Sequence, residues 1–453
     1  MKRQRETCTD HRVGGYMQTK LNLITKMAVT DSKCKFNNLI YLLDKNNLQE
    51  CFWELKKGKA SGVDGVTLES YEKNLGANIE DLIARMKTFS YRPKPVKRVL
   101  IPKANGKKRP LGIPSVEDKI VQMGITKILQ AIFEVDFLDL SYGFRPKRNC
   151  HQALNAVDKI IMESPVNHII DADIKGFFDN VEHDWLMRCV EQRISDKNML
   201  RLLKRFLKAG IIEEGKYSAS EKGTPQGGLI SPVLANIYLH YVLDLWFEKV
   251  EKHKFGCYMG MVRYCDDFVI CVQRKDSAKQ LLQDLTKRLE KFGLELSLEK
   301  TRIVEFGRYA RENSKKKGRK PGSFDFLGIT HFCDKGRKGY FKVGRKTARK
   351  KFSAKIKDMN QWLKKVRNTS HPESWWPVLV AKLRGHFQYY GVSGNFIGIK
   401  RFYTQAVCLI FKWINRRSQK KSFNWEQFNT YLNRHPLPKP KIYHNLYTLW
   451  QSK

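Results

Sequence analysis

Acidic side chains are scarce in this sequence of 453 residues: 45 Asp and Glu stand against 85 Lys and Arg, and 85 − 45 leaves a formal charge of +40. No acidic block offsets that excess, so the natural partner is a polyanion, and nucleic acid is the first to consider. Long apolar runs are missing too. None approaches the ~18 residues that read as a membrane helix, and the opening stretch MKRQRETCTDHRVGG holds no apolar core of a signal peptide. These absences argue against membrane spanning and secretion. Paired cysteines are also lacking: the ten cysteines are scattered, with no C-x-x-C among them, which speaks against a zinc ribbon. In a large chain without an export signal, reduced thiols and a cytoplasmic setting are expected. A hydrophobic content of 42% is enough to fill a core, and the length suits about three domains of roughly 150 residues.

The pattern along the chain supplies the elements. Residues 1 to about 36 are polar and basic with little periodicity, and read as a poorly ordered arm. From Phe36 to about Ser90 apolar residues recur at helical spacing, interrupted by the loop Lys59-Ala-Ser-Gly-Val-Asp-Gly65. Val96 to Ile101 alternates as a strand, and Asn105-Gly106 marks a hairpin turn before Arg109-Pro-Leu-Gly-Ile-Pro114. Ser115 is placed to cap a helix from about Val116 to Phe133, with Asp118 three residues on in a pattern close to a capping box. Asn167 to Ile174 reads as a buried strand ending in acids, and a helix begins near His183. Ser231-Pro232 opens an apolar helix to about Val250, with Ser at the cap and Pro in the first turn. Met259 to Tyr264 and Phe268 to Val272 are apolar runs flanking Cys265-Asp266-Asp267, a hairpin with carboxylates at its tip. After Gly307 the composition changes: Arg308 to Arg367 holds 21 Lys/Arg against 4 Asp/Glu, net +17.

Asp173, Asp266 and Asp267 all end apolar strands, where an uncompensated carboxylate costs several kcal/mol. A cation is therefore expected beside them. Two Mg²⁺ ions meet the need, since magnesium takes a few carboxylate oxygens together with substrate phosphates and water. Held about 3.5–4 Å apart, one activates an attacking hydroxyl and the other steadies the departing oxygen. That is the chemistry of a polymerase.

Tyr264-Cys265-Asp266-Asp267 resembles the Y-x-D-D box of reverse transcriptases, and the resemblance extends well beyond it. In order stand Gly58-Lys-Ala-Ser-Gly-Val-Asp-Gly65, Arg98-Val-Leu-Ile-Pro-Lys103 with Arg109-Pro-Leu-Gly-Ile-Pro114, Tyr142-Gly-Phe-Arg-Pro146 and Asp173-Ile-Lys-Gly-Phe-Phe-Asp179. Gly223-Thr-Pro-Gln-Gly-Gly228, Leu296-Ser-Leu-Glu-Lys-Thr301 and Phe326-Leu-Gly328 follow, and Lys382-Leu-Arg-Gly-His-Phe-Gln-Tyr-Tyr-Gly391 is similar to a maturase motif. The set resembles the ordered blocks of bacterial group II intron-encoded reverse transcriptase/maturases, over about residues 36 to 430. Cys265 stands where alanine is commoner, and its side chain is small enough to fit. Nothing after Thr430 resembles an HNH endonuclease, so the likeness is to the type lacking that domain.

The resemblance implies an α+β fold, a right-hand polymerase with fingers, palm and thumb and a helical, basic C-terminal RNA-binding region. It divides the chain into a basic flexible arm at 1–35, an N-terminal extension with fingers at 36–165, and a palm with an interleaved fingers segment at 166–305. A helical thumb at 306–395 and basic maturase helices at 396–453 complete it. Asp173 and Asp266 become the main metal ligands, joined by Asp267 and the Ile174 carbonyl. Lys103 and Arg109 grip the incoming dNTP triphosphate, with Arg forking onto phosphate oxygens and Lys acting as a point charge. Phe177 packs under the deoxyribose, while Phe178 is assigned to the core. Gln226 lines the nucleotide site, and Lys300 protonates the leaving pyrophosphate or is a surface lysine. Arg145 contacts the template backbone or braces the palm, and Arg384 with Lys315, Lys316 and Lys317 contacts RNA. The partners implied are group II intron RNA, an RNA template with a DNA primer, target DNA and dNTPs, within a cytoplasmic ribonucleoprotein and with no membrane. Two rivals remain: a maturase that only binds and folds RNA, and a domesticated polymerase working in repair or defence.

Overall fold

The strand His168–Asp173 lies inside a four-stranded antiparallel sheet of order Met259–Tyr264, Asp267–Val272, His168–Asp173, Arg302–Glu305. The computed structural model describes residues 14–102, 108–224, 227–336, 338–368, 371–417 and 423–447. Successive side chains on a strand point to opposite faces. Ile170, Ala172, Phe268 and Ile270 accordingly enter one hydrophobic core, and Ile169, Val269, Cys271 and Val304 enter the other. A sheet buried on both sides reads as near-continuous apolar runs, as the sequence does on either side of Cys265-Asp266. The register sets Asp173 directly opposite Asp267. The acids thus share one end of a sheet whose central strand residues are mostly buried.

A second sheet, of order Lys108–Ile113, Val96–Pro102, Ile211–Glu213, Lys216–Ser218, brings together segments about a hundred residues apart. The Asn105-Gly106 turn of its hairpin lies outside the described residues. After the hairpin comes the helix Val116–Phe133, where the Ser115 hydroxyl accepts from the Asp118 N–H at 3.1 Å. The Asp118 carboxylate does not close a capping box. It accepts instead from the Tyr91 hydroxyl and from the Lys94 N–H at 3.1 Å, so it holds the approach to the hairpin. In the helix Ser231–Leu239 the N-cap position falls on Ile230 rather than Ser231, with no side-chain cap bond; the helix carries Pro in its first turn and widens into π-helical turns at His240–Asp244 and Phe247–Glu251.

Two expectations are corrected. The expected arm contains the helix Gly14–Thr30, whose Met17, Leu21, Ile24 and Ala28 are buried at i, i+4, i+7 and i+11. That stripe packs on Val116–Phe133, with the Thr25 hydroxyl donating to the Ala131 carbonyl at 3.0 Å. Buried Arg193 donates to the carbonyls of Ala28 and Asp31, both at 3.0 Å, satisfying acceptors at the helix C-terminus. The stripe is one residue wide and flanked by exposed Leu23 and Met27, which blurs its period in the sequence. Nor is the region from 306 to 395 simply helical. It includes a three-stranded antiparallel sheet of order Phe341–Thr347, Ile329–Lys335, Ser323–Phe326, and the longer helices Arg349–Val366 and Pro372–Tyr390 come after it. Phe324 and Phe326 are buried with Asp325 exposed between them, a strand alternation overshadowed by the density of Lys and Arg. A buried Arg345–Asp158 ion pair ties this sheet to the helix Cys150–Glu163. Beyond it stand the helices Phe396–Ile414 and Trp425–Arg434.

If the first helix is structural, Leu21→Ala should cost about 2–4 kcal/mol, read as a lower urea midpoint. A detached arm would leave the midpoint unchanged.

Candidate active site

The turn between Met259–Tyr264 and Asp267–Val272 consists of Cys265 and Asp266, and Cys265 takes a φ of +60°. A left-handed conformation costs a non-glycine residue roughly 1–2 kcal/mol and persists only where its surroundings enforce it. Fully buried Arg263 supplies that enforcement. Its Nε donates to Asp244 Oδ1 at 2.7 Å, and its Nη1 donates to Asn236 Oδ1 and to the Cys265 carbonyl, both at 3.1 Å. Asp244 is delivered by the π-helical turn, and its carboxylate grips the guanidinium in a bidentate pair. From the other side, the Asn236 amide donates to the Gly143 carbonyl at 2.7 Å. A Cβ on Gly143 would stand 2.5 Å from the Cys265 nitrogen. That close approach explains the glycine of Tyr142-Gly-Phe-Arg-Pro146.

Arg145 of the same motif requires a correction. It is 6% exposed, and its guanidinium donates to Glu134 Oε1 at 3.0 Å and to the carbonyls of Leu138 at 2.7 Å and Ser141 at 2.8 Å. With its donors turned inward it braces the loop, and it is not presented to nucleic acid.

The carboxylates crowd one another. Burial pushes the Asp267 carboxyl up to about 7, reinforced by Asp171, Asp266 and Asp173, while a hydrogen bond from the Leu327 backbone opposes the rise. Burial also raises the Asp266 carboxyl, with Asp173 adding to the effect and Arg109 drawing it down. Arg109, exposed on Lys108–Ile113, is therefore felt at the acidic turn across the cleft. Asp173 Oδ2 accepts from Lys300 Nζ at 2.7 Å. The segment carrying Lys300 is pinned to the strand end by the Ser297 N–H on the Asp173 carbonyl and the Lys175 N–H on the Glu295 carbonyl, both at 2.8 Å. Those two bonds do not use the Ile174 carbonyl. Among the described residues no three His, Cys, Asp or Glu side chains form a ready-made metal cage. The donor set nonetheless fits magnesium, which takes only one or two carboxylates and completes its shell with water and phosphate.

The two phenylalanines after Asp173 differ in burial, and both pack on the same core. Phe177 is 2% exposed, edge-on to Phe178 with centroids 5.3 Å apart and tilted against Tyr238. Half-buried Phe178 instead lines a cavity of about 490 Å³ together with Arg98, Pro110, Gly112 and Thr224. The ring expected at the sugar, Phe177, is thus the buried one of the pair, and Phe178 is the one that reaches the cavity. The loop after it is stitched down by the Thr224 N–H on the Phe178 carbonyl and the Gly223 N–H on the Val181 carbonyl, both at 2.7 Å. Gly227 has a φ of +114°, and a Cβ there would meet the Gly112 carbonyl at 2.4 Å, so the loop can close on the hairpin only as glycine. Lys103 and Gln226 lie outside the described residues.

Of the residues expected at RNA, Arg384 is exposed on Pro372–Tyr390 and Lys315, Lys316 and Lys317 are exposed around the end of a short helix, Ala310–Lys316. His386, Phe387 and Tyr390 are buried, and His386 stacks on Phe402 at 3.5 Å. Three supports of the turn, Arg263, Asp244 and Asn236, were not singled out in the sequence, while Leu327 and Tyr389, whose hydroxyl donates to the Leu327 carbonyl at 2.9 Å, lie in quoted motifs without having been given this role. One signal was available. An arginine in an apolar strand and an aspartate in an apolar helix, each costly alone, call for each other.

The sequence pattern of the family described as "Reverse transcriptase (RNA-dependent DNA polymerase)" matches residues 101–331. The chain is 29% identical to the group II intron-encoded protein LtrA of Lactococcus lactis subsp. cremoris, over 80% of this chain and 71% of that one. It is 34% identical to protein YkfC of Escherichia coli (strain K12), over 63% of this chain and 84% of that one. The putative COX1/OXI3 intron 1 protein of Saccharomyces cerevisiae is 31% identical over 59% of this chain and 38% of its own length. The acidic hairpin tip and the Arg263, Asp244 and Asn236 that brace it lie within the matched span, and the chain belongs to the reverse transcriptases, as a homologue of group II intron-encoded proteins.

Proposed function

We propose that Asp173, Asp266 and Asp267, with the Ile174 carbonyl, hold two Mg²⁺ ions, and that an RNA template is copied there from a DNA primer. The crowding of these carboxylates at one end of a doubly buried sheet, with Asp267 pushed up to about 7, carries the reading. Bound there, the ions would activate the primer hydroxyl and steady the departing oxygen. The chain's own groups do the rest. Arg109, with Lys103 six residues before it in the sequence, grips the triphosphate. Phe178 meets the sugar and rejects a 2′-hydroxyl, and Gln226 lines the nucleotide site. Lys300, 2.7 Å from Asp173, is placed to exchange that carboxylate for the leaving pyrophosphate and give it a proton.

In right-hand terms the sheet holding Asp173 is the palm, and the hairpin sheet with its Ile211–Ser218 portion belongs to the fingers. The region from 306 to 395 is the thumb, with maturase helices beyond it. The basic C-terminal half, Arg384 and Lys316 included, holds intron RNA through phosphate and 2′-hydroxyl contacts. Template, primer, target DNA and dNTPs complete the partners of a ribonucleoprotein. No described helix is long and apolar enough to cross a membrane.

Primer extension on an RNA template with Mg²⁺ and dNTPs tests this directly. Asp266→Asn should lose at least roughly 10³-fold, about 4 kcal/mol of barrier, with RNA affinity nearly intact. Silence from wild type and variant alike, with RNA still bound, would instead favour the splicing-only reading. Phe178→Ala should admit ribonucleotides while leaving the fold stable. Phe177→Ala should cost about 3–5 kcal/mol of stability and leave sugar discrimination unchanged, and the reverse pattern would restore the gate to Phe177.

A further inference from the structure

A groove of about 980 Å³ opens between the helix Ala310–Lys316, the loop after it and the turn joining Ile329–Lys335 to Phe341–Thr347. It lies past the far end of the palm strand. The Phe306 N–H donates to the Asn167 carbonyl at 2.9 Å, and Arg308 Nη2 donates to the Met162 carbonyl at 2.8 Å. Five residue steps of about 3.4 Å, some 17 Å of strand, therefore separate this end from Asp173.

Six cations line the groove, Arg308, Arg311, Lys315, Arg319, Lys320 and Lys335, against the acids Glu312 and Asp334. Asp334 is already paired with Lys342 at 3.2 Å. The cations come from the helix, the chain on either side of it and the start of the hairpin turn, and several cations from separate segments suit a polymer of phosphates. Their scaffold is fixed from beneath: Glu305 accepts from Asn313 at 2.9 Å, Lys317 at 3.1 Å and Arg319 at 3.0 Å. Within the lysine run, Lys317 is thus engaged with Glu305, Lys315 faces the groove, and Lys316 lies outside its lining. On the rim stands Tyr340, 61% exposed. Gly336 lies against one side of its ring, and an exposed aromatic face among cations is a platform on which an unpaired base stacks. An acidic peptide would leave that face unused.

We propose that this groove is a second RNA site, separate from the polymerase centre, which holds a single-stranded segment with its phosphates on Arg311, Lys315 and Lys335 and a base on Tyr340. It rests on the reading that the chain binds intron RNA, and it specifies where and in what form.

The test uses the full chain with its polymerase cleft saturated by a blunt RNA/DNA duplex, and follows a labelled short single-stranded RNA by fluorescence anisotropy across a salt series. The triple variant Arg311→Glu, Lys315→Glu, Lys335→Glu should lose at least about tenfold in affinity and flatten the log–log salt slope by about 2, at ~0.7 per phosphate on single strands. Tyr340→Ala should lose about tenfold with the slope unchanged. Extension of a short preannealed primer–template should stay within about twofold of wild type for both. Unchanged affinity and slope would overturn the proposal, as would an equal loss of extension, which would merge the groove with the cleft. Displacement of the RNA by polyglutamate as readily as by unlabelled oligonucleotide would overturn the assignment to RNA. Absence of extension by the wild type, with the groove variants still weakened, would sink the polymerase reading and leave this one standing.

Discussion

The molecule is organised around like charges forced together. Asp173 and Asp267 are direct cross-strand neighbours, with Asp266 on the adjoining turn and Asp171 two residues back along the strand. Opposed like charges destabilise a sheet, and a doubly buried sheet offers them little water. The structure answers with separate partners for the outer acids, Arg302 on Asp171 and Lys300 on Asp173, and leaves Asp266 and Asp267 to a polarised cleft. The turn that presents them keeps its positive φ because a buried ion pair, Arg263 with Asp244, fixes the backbone on either side. Removing one member of such a pair strands a charge, so fold and chemistry are coupled at that point.

From this turn the support spreads outward through groups distant in sequence. Gly143 lets the loop of Arg145 lie against Cys265, and Asn236 joins that loop to the ion pair. Leu327, in the turn that opens the third sheet, meets Asp267 and receives the Tyr389 hydroxyl. His151 completes the chain by a 2.9 Å contact with the Tyr389 carbonyl. The Phe326-Leu-Gly328 segment and the helix carrying Tyr389 thereby serve as buttresses of the acidic hairpin.

Much of this was legible in the sequence wherever local pattern decides. The apolar runs around Cys265-Asp266 form the strands they suggest, Ser115 caps its helix, and the helix from Ser231 runs to its expected length by way of π-helical turns. The order of the motif blocks also revealed the family. What stayed hidden depends on partners remote along the chain. The stripe Met17–Ala28 gains its meaning from the helix at Val116, and the strand alternation of Ser323–Phe326 is drowned by surrounding charge. Burial separates Phe177 from Phe178 and turns Arg145 inward, and adjacent identical residues or a lone arginine carry no local sign of that. Arg263 and Asp244 also went unread, although each is costly without the other.

Unfolding by urea at pH 8 without divalent metal, comparing wild type with Asp267→Asn, tests whether the catalytic acids are held together at the expense of stability. Neutralising the most crowded carboxyl should raise stability by about 1 kcal/mol or more, because each tenfold rise in proton affinity on folding corresponds to about 1.4 kcal/mol against the charged form. A less stable variant would show that the Asp267 charge is compensated in the folded chain, and would contradict the account.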